Sequence, residues 1–194
     1  MNRYKLIGLA LFLVVAFLAA CIPGGAAFSP ESAATQELDQ HHNAIAESVR
    51  IHQSQPWRGN SIVMASYLSI EQNEQWSCEA VFEMQRIATG WQVSGSGNSC
   101  SNPPNIEAVT SGSGTQGMPP DDLSYAHGLV KLNAAKWVEI TWQDGTLQRT
   151  AVVNGSYLAL RAGSFQMIAS VEVLDAAEKV IHEIEIMPDV QKIP

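Results

Sequence analysis

The last third of the chain alternates so regularly that few folds other than antiparallel sheet can accommodate it. Val138, Ile140 and Trp142 interleave with Glu139, Thr141 and Gln143, then Asp144-Gly145 interrupts and 147–153 resumes the β-rich text. Asn154-Gly155 interrupts again before 157–161. Asx-Gly pairs flanked by alternating apolar runs are the strongest short-range hairpin signal, because both turn residues tolerate positive φ. Residues 165–174 and 179–186 read as two more strands, joined at Asp175-Ala176-Ala177-Glu178, and 123–132 precedes them all. Roughly six strands at 8–12-residue spacing is the rhythm of a β-sandwich, here covering 123–187.

Upstream, two kinds of text meet. Ser29-Pro30-Glu31 is a helix start, with Ser as N-cap, Pro in the first turn and an acid at the positive end of the dipole. Residues 31–53 lack Gly and Pro, and Ala34, Leu38, Ile45 and Val49 keep to one face, so a helix is expected there with Pro56 beyond its end. After Pro56 the period changes to two. Residues 61–70 read as a strand, Gln72-Asn73-Glu74 as a turn, and Cys78, Ala80, Phe82 and Met84 as the inward side of a half-buried strand. Thr89-Gly90 turns into a third strand at Trp91. The Gly/Ser/Asn-rich stretches 94–105 and 111–122 read as loops, the second as the boundary between halves. The expected fold is therefore mainly β: an N-terminal helix and antiparallel meander over 31–110, then a C-terminal Ig-like sandwich.

The N-terminus carries an address. Arg3 and Lys5 precede an uncharged run, 6–20, that ends in small residues, the pattern of a secretory signal. The run is shorter than the ~20 residues needed to span a bilayer, and Pro23-Gly24-Gly25 would break a helix. Leu18-Ala19-Ala20-Cys21 closely resembles the lipobox of bacterial lipoproteins. The resemblance implies a diacylglyceryl thioether on Cys21, cleavage before it, and an exported chain held on the outer face of a bacterial membrane. Residues 1–20 are then signal peptide and 21–30 a flexible tether. The alternative is ordinary cleavage after Gly25-Ala26-Ala27, which frees the chain. With Cys21 acylated, Cys78 and Cys100 remain, and an even remainder in an oxidising compartment points to a disulfide; two buried free thiols are the competing reading.

The chain has 11 Lys+Arg against 19 Asp+Glu; without Arg3 and Lys5 the balance is 9 against 19, a formal charge of −10. That sign opposes binding to nucleic acid or to anionic lipid, so membrane contact is expected through Cys21 and other contacts with an envelope protein or glycan. No cofactor and no metal are expected. His41, His42 and His52 are not at i, i+4 spacing, and Asp121-Asp122 lacks the interleaving of a calcium loop. No G-x-S-x-G, S-x-x-K or dinucleotide fingerprint occurs. The leading expectation is a non-catalytic binding or scaffolding protein of the cell envelope. Its rival is an envelope hydrolase using His127 with Asp121 or Asp122. His127 and His182 otherwise read as hydrogen-bonded residues of strand faces.

Tyr125-Ala126-His127-Gly128, 138–145, 154–160 and 171–176 together look similar to the Ig-like or fibronectin-like modules of exported bacterial proteins. That resemblance implies a fold and no reaction. Of the five tryptophans, Trp137 and Trp142 have opposite parity on one strand, so one must face outward. Trp137 is the candidate exposed contact.

Overall fold

The computed structural model describes residues 27–102, 107–116, 122–163 and 166–186. Among them are one α-helix, α1 (Pro30–His41), a 3-10 turn (Ala46–Ser48) and eleven strands, all paired antiparallel. The strands are β1 (Arg50–Trp57), β2 (Asn60–Glu71), β3 (Glu74–Ile87), β4 (Gly90–Ser101), β5 (Gly112–Gln116), β6 (Leu123–Leu129), β7 (Trp137–Trp142), β8 (Leu147–Ala151), β9 (Ser156–Ala162), β10 (Ile168–Leu174) and β11 (Val180–Glu185). They form three sheets, β1-β2-β3-β4, β5-β6-β9 and β11-β10-β7-β8.

The helix starts where the sequence says. Ser29 and Ser32 close a reciprocal capping box, with Pro30 at the first turn. It does not run on to residue 53 as expected. Asn43 adopts a left-handed φ of 49°, ending the α-helical path. Beyond it, Ile45, Val49 and Ile51 are β-branched and favour strand. Pro56 lies inside β1 instead of closing a helix, which is tolerated because β1 is an edge strand and need not donate on its outer side. Arg58 and Gly59, both at positive φ, turn β1 into β2, as Gln72 and Asn73 turn β2 into β3.

The first sheet is buried on both faces. Val63, Ala65, Tyr67, Cys78, Ala80, Phe82 and Met84 meet Ala33, Ala34 and Leu38 of α1. Ile62, Met64 and Val81 point the other way, onto Leu123, Tyr125 and Leu158 of the second sheet. The half-buried reading of β3 therefore covers only one of its two faces, since Val81 is as buried as Phe82. The second sheet is likewise double-sided: Ala126, Tyr157 and Ala159 pack on Val138, Ile140, Trp142, Val171 and Val173 of the third. The layers thus run α1, first sheet, second sheet, third sheet.

Both stretches expected to be loops contain strands. Residues 90–101 pair with β3 along their length, with one register shift at Ser94, and 112–116 pairs with β6, while 103–106 and 117–121 lie outside the described residues. Their sparse apolar content reflects their place at sheet edges and the ring-bearing side chains that lie over their glycines. The Asn154-Gly155 turn also departs from expectation. Both residues have positive φ, yet only one bridge, Val153↔Ser156, closes the turn before β8 and β9 enter different sheets.

Side chains complete what the separated backbones leave open. Gln53 Nε2 donates to the Ser156 carbonyl at 2.9 Å, and Gln55 Nε2 to the Leu158 carbonyl at 2.9 Å. From the other side, Thr150 Oγ1 donates to Leu158 O and Gln148 Nε2 to Leu160 O, both at 3.1 Å. The carbonyls along the outer edge of β9 are thereby satisfied by strands of both neighbouring sheets.

Candidate functional site

Cys21 lies outside the described residues. Cys78 and Cys100 are directly opposite each other on β3 and β4 and form a disulfide with Cα atoms 4.1 Å apart. The bond joins two paired strands, not a loop to a strand, and Cys78 faces the α1 side of the sheet as its parity requires.

On the opposite side of the same two strands lies a polar cavity of about 240 Å³, between the first and second sheets. Glu79, Ser99, Thr110, Gly112, His127 and Lys131 are among its walls. His127 reaches it because odd-numbered residues of β6 point toward the first sheet, as Tyr125 and Leu123 do. Two alternating glycines make room. Gly112 is opposite His127, and a Cβ there would come within 2.6 Å of Nε2. Gly114 is opposite Tyr125, and from β4 a Cβ on Gly97 would sit 2.6 Å from the Tyr125 hydroxyl. Ser-Gly alternation, meaningless as a nucleophile motif, is the signal that aromatic rings lie over these edge strands.

His127 is only 8% exposed. Burial depresses its imidazole to about 4, and burial raises the carboxyl of Glu79, against a hydrogen bond from Thr110 and the charge of Lys131. Nδ1 of His127 is 3.8 Å from Glu79 Oε2, too far for a hydrogen bond, and has no hydrogen-bond partner among the described residues. The imidazole is therefore neutral near pH 7 and a weak base there, far from the matched pKa that proton transfer favours.

The acid expected beside His127 is not the one found. Asp122 precedes it by five residues of extended chain, about 16 Å, and on the opposite parity. Its backbone carbonyl accepts from Gly163 N. Asp121 lies outside the described residues. Glu79, on a strand 48 residues earlier, could be linked to His127 only through the sheet packing.

Three of the four remaining histidines have structural neighbours, and His41 is exposed at the end of α1. His42 packs edge-on against Tyr67 and Phe82, and His52 Nε2 is 2.8 Å from Ser66 Oγ. His182 lies opposite Val173 in β11. Among the described residues no group of three His, Cys, Asp or Glu side chains is placed to hold a metal, and no helix is long and apolar enough to cross a membrane. Trp142 is fully buried and donates to Gln148 Oε1 at 3.2 Å, while Trp137 on the opposite face is 38% exposed.

No protein-family model, curated protein or solved structure matches this chain.

Proposed function

We propose that the chain is an exported lipoprotein, acylated at Cys21 and held on the outer face of a bacterial membrane, whose β ectodomain binds or scaffolds an envelope component without catalysis. One observation carries the anchor: Cys78 and Cys100 consume each other, so Cys21 is the single thiol left in the chain, and it ends the Leu18–Cys21 tetrapeptide. The tether is short. Ala27 exchanges two backbone hydrogen bonds with Trp91, so no more than six residues, ~20 Å at full extension, separate the acyl group from the first sheet.

The Ig-like or fibronectin-like reading of the C-terminal sheets draws support from connectivity. Counting from β5, the first, second and fifth strands share one sheet and the third, sixth and seventh the other, as in immunoglobulin constant-type sandwiches. The fourth strand, β8, sits with the latter group here. A binding role suits such a module. A hydrolase built on His127 gains nothing from an imidazole depressed by burial and remote from Asp122.

Labelled palmitate fed to expressing cells tests the anchor. The parent chain should carry label and sediment with membranes, and Cys21→Ser should do neither. Equal labelling, or equal membrane retention, of the two forms would overturn the proposal.

A further inference from the structure

The third sheet buries one face against the second, and among the described residues no sheet or helix packs a hydrophobic cluster on the other. None of its outward-facing residues joins the three hydrophobic clusters of the fold. Strand registers arrange that outer face in rows. Val180, Leu174 and Trp137 are direct cross-strand neighbours, an apolar row in which Leu174 is buried and the flanking Trp137 and Val180 are 38% and 42% exposed. The next row is Glu183, Glu172, Glu139 and Arg149, again each opposite the next.

Three carboxylates in succession, about 5 Å apart, work against the sheet that holds them. Arg149 offsets one end: it is 3.3 Å from Glu139 and 3.1 Å from Glu178. No cation among the described residues forms an ion pair with Glu172 or Glu183. The face therefore presents an uncompensated acidic pair alongside an exposed tryptophan and valine. Cations placed over Glu172 and Glu183 would remove the repulsion, and apolar groups beside them would cover Trp137.

We infer that this face docks a basic polypeptide segment, whose lysines or arginines meet Glu172 and Glu183 and whose aliphatic side chains cover Trp137 and Val180. The same charges argue against other occupants. A second copy of a chain with formal charge −8 would repeat the repulsion, and an anionic lipid surface would add to it. The inference rests on the chain being a binding module but not on its acylation, so the palmitate experiment and the following one fail separately.

The probe is a fluorescein-labelled octapeptide alternating Lys and Leu, titrated into the full chain in non-ionic detergent and followed by fluorescence anisotropy. Binding should weaken as salt rises. Glu172→Gln with Glu183→Gln should weaken it at least tenfold, and Trp137→Ala several-fold. A control pair on the helix side, Glu37→Gln with Glu47→Gln, should leave it unchanged. Circular dichroism confirms that each variant is folded, and replacing Glu by Gln relieves repulsion instead of adding it. No binding of the peptide, equal binding by the Glu172/Glu183 variant, or an equal loss in the control pair would overturn the assignment.

Discussion

Lowering the pH tests the buried imidazole directly. His127 titrates near 4 in the folded chain and near 6.5 when exposed, so between those values the unfolded state binds more protons. Its contribution is complete above pH 6.5 and drains away as pH falls to about 4, below which it is constant. At 1.36 kcal/mol per pH unit, an interval of that width amounts to about 3 kcal/mol. Glu79 acts in the opposite sense. Its carboxyl is raised by burial, so the folded state takes up its proton first and gains stability as pH falls through that value. The parent should therefore lose less than the full ~3 kcal/mol from His127, and Glu79→Gln should expose the whole loss. Urea unfolding followed by tryptophan fluorescence at pH 7.5, 6.5, 5.5 and 4.5 measures both, with His127→Gln as the chain lacking the titration. Parallel stability curves for the parent and His127→Gln would refute the argument, since every other titrating group is common to the two.

Four further outcomes are expected. Replacing Cys78 and Cys100 together by Ala opens a loop of 22 residues and should cost about 3 kcal/mol on chain entropy, read as a lower urea midpoint; a loss under ~1 kcal/mol would show that the β3–β4 ladder alone holds these strands. Leu38→Ala empties the largest apolar contact of α1 and should cost roughly 2–5 kcal/mol, with amide exchange rising first in α1. Gly128→Ala would drive a Cβ into the Thr110 carbonyl and the Tyr157 ring, so it should lower the melting temperature by more than Gly145→Ala, where space is open and only the positive φ resists. Trp137→Ala should cost roughly 1–3 kcal/mol, since the side chain is 38% exposed and lies directly opposite the buried Leu174; a change under ~0.5 kcal/mol would show that the ring gives Leu174 no cover.

What the sequence reveals depends on how far each signal acts. The N-cap at Ser29, the turns at Gln72-Asn73 and Asp144-Gly145 and the alternation of β7 are local, and all stand where the residues put them. The end of the helix was hidden because Ala34, Leu38, Ile45 and Val49 satisfy a helical period by coincidence, while left-handed Asn43 and the partner strand β2 decide otherwise. The edge strands β4 and β5 were hidden for a related reason. Alternating glycine and serine has low strand propensity, and only Tyr125 and His127, approaching from β6, explain the glycines. The partner of His127 was out of reach because Asp122 is near in sequence but distant along a strand, while Glu79 is distant in sequence and near in space.

The two glutamines of β1 do more than satisfy acceptors. Gln53 and Gln55 are two residues apart, and the carbonyls they reach, at Ser156 and Leu158, are two residues apart as well. A strand turns its carbonyls to alternate sides, so a slip of β9 by one residue would aim both acceptors away from the amides. The apolar contact of Ile62, Met64 and Val81 with Leu123 and Leu158 is non-directional and would tolerate such a slide. The amide pair works as a ratchet tooth of one pleat period: it lets the first and second sheets mate only at discrete offsets, so the walls of the Glu79–His127 cavity meet in one alignment.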